Sequence, residues 1–500
     1  MAAPFINWSN TMSAKQPSFL DASIPLLVLV ILLSASVYLF GDNSSYGPNQ
    51  IALFMATAVA VVVGLKNGYS WSVIEKAMVN GISLSLGAVL ILLSVGALIG
   101  TWMLSGTVPT LIYYGLQLLS PSWFYAASCL LCGIVAMSIG SSWTTAATIG
   151  VALIGVAQGL GLSPAITAGA IVSGAYFGDK ISPLSETTNL APAVAGADLF
   201  DHIRHMLWTT VPSFILALLL FTVIGFNSDV SADFARINEI SQVLTENFSI
   251  SAISLVPLFI LLTMAVKKVP AFPTVFIGAL LGAVWAVFFQ QDLMSRLVEQ
   301  DVGYTLASIK LIWHIFHAGF VIETGNASLN DLLSGGGMSS MLNTIWLVFC
   351  AMMFGATIEK IGLLRKFVES ILFFAKSTGS LITSTIATCF VTNVLTADQY
   401  MSIVMPGRMF KEEYERRNLA PVNLSRTLED GGTITSPLIP WNTCGAYMHS
   451  VLQVSPLDYA MYAFFNLINP VLAIIYAYCG IKILKLTPPD SVVQEVVAKA

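Results

Sequence analysis

Apolar stretches of roughly 20 residues, the length an α-helix needs to cross a ~30 Å hydrocarbon core, recur almost from end to end of this 500-residue chain. They cover Ile24–Phe40, Pro48–Lys66, Gly81–Met103, Trp123–Ile139, Ser142–Gln158, Pro164–Gly178, Met206–Phe226, Ser251–Val266, Ala271–Phe289, Met341–Ile358, Gly379–Thr396, Ser436–Gln453 and Tyr459–Ile483. Several are short or interrupted by Gly and Pro. The expected fold is an all-α polytopic membrane protein with about 11–13 membrane segments. Only 10% of the side chains are charged, against roughly 25% in soluble domains, which excludes an ordinary soluble enzyme. A net charge of -5 without a basic run excludes a nucleic-acid partner; the partner to expect is the lipid bilayer. Only Lys15 precedes the first apolar run and no small-residue cleavage site follows Phe40, so that run is expected to stay as a helix. The six cysteines lie in or beside apolar segments and read as small hydrophobes.

The chain repeats itself. Gly100-x5-Gly106 returns as Gly355-x6-Gly362, Thr145-Ala146 as Thr396-Ala397, Leu162-x-Pro164 as Leu419-x-Pro421, and Ser182-Pro183-Leu184 as Ser436-Pro437-Leu438, at offsets of 255–256, 251, 257 and 254 residues. Four weak matches in one order at nearly one offset indicate two related halves.

Charge gives their orientation, because cytoplasmic loops collect Lys and Arg. Segments 41–50, 104–108, 156–165 and 227–250 hold a single Lys or Arg, Arg236. Their counterparts 266–270, 359–366, 407–426 and 482–500 hold thirteen. Matching loops on opposite faces make an inverted-topology repeat, the plan of many secondary transporters, with both termini cytoplasmic. The expected organisation is N-terminal helices and an amphipathic segment (1–80), a first repeat core (81–226), an external linker (227–250), leading helices of the second half with a connector (251–337), a second repeat core (338–485) and a cytoplasmic tail (486–500).

Within this background, polar residues in apolar segments are informative: a charge at the bilayer centre costs about 2.5–3.5 kcal/mol on insertion scales and is kept for a pathway or a partner. Two clusters occupy matching places, Gly178–Asn189 with Asp179, Lys180, Ser182, Glu186, Thr187 and Asn189, and Glu429–Asn442 with Glu429, Asp430, Thr433, Ser436 and Asn442. Gly and Pro in both are expected to break the helix and free backbone carbonyls, which membrane depth tolerates only against protein or a water-filled cavity. An all-oxygen environment of this kind suits a hard cation such as Na⁺. Upstream of each lies a hydroxyl- and amide-rich break, Gly140–Thr145 with Thr144 and Thr392–Asp398 with Asn393 and Asp398, expected as discontinuous helices or tips of re-entrant hairpins.

The run from Gly174 through Asp179-Lys-Ile-Ser-Pro-Leu-Ser-Glu-Thr-Thr-Asn189 to His205, and the run from Leu424 through Glu429-Asp-Gly-Gly-Thr-Ile-Thr-Ser-Pro-Leu-Ile-Pro-Trp-Asn442 to Tyr447, resemble the signature of the NhaC-type sodium/proton antiporter family. The likeness extends roughly from Pro48 to Lys485. It implies a multi-pass protein of a bacterial or archaeal inner membrane, built on the repeat fold of the wider ion-transporter superfamily, with dimerisation also implied. Similar proteins exchange malate for lactate or move amino acids with Na⁺ and H⁺ coupling, so organic-substrate exchange is the alternative. Gly431 stands where a Ser is common in relatives, which removes a hydroxyl.

The resulting expectation is a Na⁺/H⁺ antiporter, not an enzyme, without cofactor and with Na⁺ and H⁺ as substrates. Burial disfavours an ionised carboxylate and a bound cation favours it, so one site holds Na⁺ or H⁺ in competition. Asp179 and Asp398 are the expected exchanging carboxylates and Na⁺ ligands, with Glu186, Glu429 and Asp430 as further ion- or proton-binding groups. Ser182, Thr187, Asn189, Thr144, Asn393, Thr433, Ser436 and Asn442 are the expected supporting oxygens. Lys180 is a candidate partner of Asp179 or Glu186. His202 and His205 are expected at the membrane interface, His449 is a weaker proton-relay candidate, and Gly335–Gly337 reads as a flexible connector. Arg426 is the one Arg close to a candidate site. No H-E-x-x-H or G-x-S-x-G motif supports an intramembrane hydrolase.

Overall fold

In the computed structural model, residues 15, 17–41, 44, 46–227, 234–298, 303–324, 330, 333–372 and 375–486 are described. The first half carries α1 (Phe19–Phe40), α2 (Pro48–Lys66), α3 (Trp71–Leu84), α4 (Leu86–Leu104), α5 (Thr107–Leu118), α6 (Pro121–Ile139), α7 (Ser142–Thr145), α8 (Val151–Gly159), α9 (Pro164–Ile181), α10 (Glu186–Ala195) and α11 (Leu199–Phe226). There follow α12 (Phe234–Asn247), α13 (Val256–Val266), α14 (Ala271–Phe289), α15 (Gln291–Leu297), α16 (Tyr304–Ala318), α17 (Leu342–Lys360), α18 (Leu363–Leu372), α19 (Thr378–Thr396), α20 (Gln399–Arg416), α21 (Pro421–Leu428), α22 (Thr443–Leu452), α23 (Pro456–Tyr459) and α24 (Phe464–Cys479).

Local chemistry sets these boundaries. Proline at the first or second helical position opens α2, α6, α9, α21 and α23, where its missing N–H costs no helical bond. Ser141, Ser185 and Asp198 are N-caps of α7, α10 and α11, and Asp398, Asn442 and Ser455 cap α20, α22 and α23. Each of the second three stands 257 residues after its counterpart in the first, so the same entry into a helix recurs in both halves although the capping side chain differs.

Among the described residues, α1, α2, α4, α6, α11, α14, α17 with its leading 3₁₀ turn, and α19 are long and apolar enough to cross a membrane. Two bent pairs raise this from eight to ten: Ile237–Asn247 with Ala252–Val266, bent by 86°, and Pro456–Tyr462 with Phe464–Cys479, bent by 56°. This falls short of the 13 stretches read from hydropathy because apolarity does not register where a cap interrupts a run. Ser142–Gln158 is α7, a π-helical turn (Ala146–Gly150) and α8. Ser436–Gln453 is a 3₁₀ turn followed by the ten-residue α22.

Helices of each half pack on the other. α2 and α3 lie along α17, while α14 and α16 lie along α4. The closest internal seam joins α6 and α9: a Cβ on Gly178 would stand 2.2 Å from the Gly133 carbonyl oxygen, so only glycine lets these backbones meet. Three expectations change. The 227–250 segment is more than a linker, since Ile240 and Leu244 of α12 are buried against α5 and α8. Gly335–Gly337 is a packed strip rather than a flexible connector: the Gly337 N–H donates to the Gly96 carbonyl at 2.6 Å, and a Cβ on Gly336 would lie 2.3 Å from the Gly100 nitrogen. Gly431-Gly432 does not break its helix; α21 runs on through a π-helical turn over Glu429–Thr433, and the break comes after Thr435.

Candidate functional site

The first break turns on Gly140, whose φ of 75° ends α6, and on Ser141, which starts α7 by accepting from the Thr144 N–H at 3.1 Å. The next unsatisfied amide of that helix start, Ser142 N–H, is taken by Asp179 at the end of α9: Asp179 Oδ2 accepts from it at 3.0 Å and from the Ser142 hydroxyl at 2.7 Å. A carboxylate at a helix N-terminus completes orphan donors and meets the positive end of the helix dipole. Trp143 of the same turn stacks on Tyr447 with ring centroids 4.0 Å apart, and the Tyr447 hydroxyl donates to the Trp143 carbonyl at 3.0 Å. The break in one half is therefore braced by α22 of the other.

The second break has the same form with its own residues. Ala397, at φ 56°, takes the left-handed position that Gly140 takes in the first. Asp398 then caps α20, Oδ1 accepting from the Met401 N–H at 2.8 Å. Gln399 Oε1 accepts from the Ser436 hydroxyl and the Cys444 thiol, both at 2.9 Å. The Thr443 N–H donates to the Ala397 carbonyl at 2.9 Å, so α22 is tied to this break as well.

Both breaks open on one cavity of about 880 Å³. Asp179, Asp398, Glu186, Thr187, Asn189 and Thr144 line it, as do Ser141, Ser142, Gln399, Tyr400 and Thr443, which the sequence reading passed over. Glu186 accepts from the Tyr400 hydroxyl, joining the halves across it. Asn189 is turned to its own loop, donating to the Pro183 and Ser185 carbonyls at 2.9 and 2.7 Å, and the Thr187 hydroxyl lies 3.2 Å from that of Ser185. Gln399 and Tyr400 follow Asp398 directly, and a scan for polar side chains beside an intramembrane carboxylate finds them. Ser141 and Ser142 carry no such signal, since their role depends on Asp179 arriving from another helix.

The other expected residues lie behind the cavity. Asn393 donates to the Gly432 carbonyl at 2.6 Å and to Thr435 Oγ1 at 3.0 Å, and Asn442 donates to Asn393 Oδ1 at 3.1 Å. Ser436 also donates to the Thr433 carbonyl at 2.7 Å, and buried Ser182 accepts from the Leu184 N–H at 3.3 Å. Asn393, Asn442 and Ser436 thereby hold the second break against the Glu429–Asn442 segment of its own half. Thr433 is fully buried, with no hydrogen-bond partner for its hydroxyl.

Lys180 does not pair with Asp179 or Glu186. Successive helical residues point apart: Asp179 faces the cavity, whereas Lys180 faces the interior and forms a buried ion pair with Asp430 of the second half. Lys180 also donates to Asn469 Oδ1 at 2.7 Å, and the Thr209 hydroxyl donates to Asp430 at 3.1 Å. Arg426 is fully buried too, outside the cavity lining; Nη1 donates to the Lys482 carbonyl at 3.2 Å and Nε lies 3.9 Å from Asp430 Oδ2. Glu429 is completely buried with neither carboxylate oxygen hydrogen-bonded. His202 and His205 are buried, and His202 Nδ1 lies 2.8 Å from the Ser425 hydroxyl on α21.

The sequence matches the Na⁺/H⁺ antiporter family over residues 19–175 and 174–481. It is 40% identical to the Na⁺/H⁺ antiporter NhaC of Alkalihalophilus pseudofirmus over 87% of this chain and 91% of that protein. It is 38% identical to the malate-2H⁺/Na⁺-lactate antiporter of Bacillus subtilis over 93% and 96%, and 35% identical to the arginine/ornithine antiporter ArcD of Halobacterium salinarum over 95% of each. With this match spanning nearly every helix that builds the cavity, the chain belongs to the Na⁺/H⁺ antiporter family.

Proposed function

We propose that the protein exchanges Na⁺ for H⁺ across the cell membrane by alternating access between two inverted repeats. The observation that carries this reading is that Asp179 and Asp398, from separate helix breaks in the two halves, line one cavity. Each now accepts hydrogen bonds from helix-start donors, which balance its charge while no cation is bound. Na⁺ entering between them replaces those donors with direct coordination, and protonation releases Na⁺ because a neutral carboxyl is a poor cation ligand. If only the loaded states reorient, a proton gradient drives Na⁺ the other way.

The buried acids divide the work. Asp430 is committed to Lys180 and ties the halves together. Glu429 is buried with neither carboxylate oxygen hydrogen-bonded, which makes it a further candidate for carrying a proton. The inverted arrangement is supported by the segregation of Lys and Arg and by the N-caps recurring 257 residues apart; it places both termini and the mouth at Lys268 in the cytoplasm. An organic-anion exchanger is expected to use an Arg or half-helix N-termini to hold a carboxylate; Arg426 is turned away from the cavity and bonded to Lys482, and the starts of α7 and α20, which do line it, are met by Asp179 and Asp398.

Proton movement in proteoliposomes, challenged in turn with Na⁺, K⁺, Li⁺, malate, lactate, arginine and ornithine, tests the reading. Na⁺ alone is expected to drive it. Asp179→Asn and Asp398→Asn are each expected to abolish it with the protein still in the membrane. Retained exchange in both variants rejects the carboxylate assignment, and flux with malate and lactate but not with Na⁺ alone makes the protein an organic-anion exchanger.

A further inference from the structure

A second cavity, of about 190 Å³, lies between the start of α17, the chain before α2 and one side of α22. Its lining is polar and bears no Lys, Arg, Asp or Glu: Asn343, Thr344, His449, Ser450 and Gln453 contribute side chains, and Tyr46 stands at its edge. A space of this size with polar groups on its walls has room for water or a small ion. The ion path described above uses none of these groups.

Three observations relate it to the large cavity. First, α22 belongs to both. Thr443 and Cys444 at its start line the large cavity, whereas Ala446, His449, Ser450 and Gln453, at the i, i+3, i+4, i+7 spacing of one helix face, line the small one. Second, α4 acts as a ruler. Ser85 to Ile91 flank the large cavity, and Gly96 further along meets Gly337, which leads into the Ser339–Ser340 wall of the small one. At 1.5 Å per residue the two are offset by roughly 8 Å or more along the helix axis. Third, the linings differ in charge. Lys268 lines the large cavity, whereas the small one is lined by Tyr46, from a stretch of sequence (41–50) that has no Lys or Arg.

We propose that the small cavity is the mouth of the transport path on the opposite membrane face, shut in this conformation by α22, and that it takes a hydrated monovalent cation. Neutral oxygens hold such an ion weakly enough for it to enter and leave. The latch is the contact between the Thr344 and Ser450 hydroxyls, backed by the Gln453 side chain on the Ser450 carbonyl and by Tyr46 edge-on to His449 at 6.1 Å. Because Thr443 and Cys444 are bonded to Ala397 and Gln399, any movement of α22 away from α17 is felt beside Asp398. The proposal rests on the transport reading but not on which ion is carried.

The test labels single cysteines, in a background with Cys444 and Cys479 replaced, using a membrane-impermeant methanethiosulfonate on right-side-out and inverted vesicles. Ser450→Cys in the small cavity and Ala271→Cys in the large one are expected to react from opposite faces. Modified Ser450→Cys is expected to lose transport. Thr344→Val, which removes the hydroxyl contact with Ser450, is expected to speed labelling at Ala446→Cys, on the same face of α22, about two- to tenfold. Reaction of both cysteines from one face overturns the proposal. So does absence of labelling at Ser450→Cys in protein that elutes as a single species from detergent, or unchanged flux after modification. Opposite-face labelling in protein that moves malate instead of Na⁺ upholds the path and rejects only the ion assignment.

Discussion

Lys180 and Asp430 show how the meaning of a charge depends on its contacts. In sequence, Lys180 adjoins Asp179, and Asp430 adjoins Glu429; in the folded chain the pair that forms is the cross pair, fully buried, with Asn469 and Thr209 completing its hydrogen bonds. Asp430 also faces Arg426, whose Nε lies 3.9 Å from its carboxylate, so removing Lys180 leaves Asp430 a counter-charge, whereas removing Asp430 leaves Lys180 and Arg426 buried without one, at about 3–5 kcal/mol. Asp430→Asn is therefore expected to lower thermal stability in detergent sharply, and Lys180→Met with Asp430→Asn to recover part of the loss. A double variant no more stable than the single one rejects the pair as the stabilising unit. The carboxylates at Asp179 and Asp398 were legible as functional candidates because each stands in an apolar stretch at a helix break, but adjacent Lys180 left open in sequence whether Asp179 is paired. That Glu429 is left without a hydrogen bond while Asp430 is paired was not legible, since the two differ only in the direction each takes from its helix.

At the scale of elements, the two breaks are built alike from different residues. Gly140 takes a left-handed position freely, whereas Ala397 takes it with a Cβ that the conformation disfavours by about 1–2 kcal/mol. Ala397→Gly is expected to raise stability, by less than that amount because glycine also loses more entropy on folding, while leaving the Asp398 cap in place. A lower melting temperature for this variant shows that the methyl group contributes packing that outweighs the strain. The sequence marked the breaks at 140–145 and 392–398 where they occur but misplaced the one in the Glu429–Asn442 cluster. Gly431 and Gly432 remain helical because their missing side chains admit Ile386 and Ser402 at close range, a packing reason that a helix-breaker rule does not see. The ten-residue α22, read as part of a span, instead separates two cavities.

For the whole molecule, packing of α14 and α16 on α4 and of α2 and α3 on α17 means that neither half is a closed unit. If the halves are inverted, Glu246 on α12 and Glu415 on α20, both exposed, lie on opposite faces. Cysteine at 415 is then expected to react only in inverted vesicles and cysteine at 246 only from outside; reaction of both from one side rejects the inverted arrangement. By itself the sequence determined the bilayer as solvent, the helical class, the doubled order of motifs and the short set of candidate acids, because hydrophobicity, scarcity of charge and capping act locally and sum along the chain. Only the tertiary structure decided which acid faces a cavity, which is paired and which is left bare, and that one short helix separates two water-sized spaces. Those outcomes depend on contacts between residues far apart in sequence, 304 positions in the case of Trp143 and Tyr447, and a side chain's charge carries no record of which distant group will meet it.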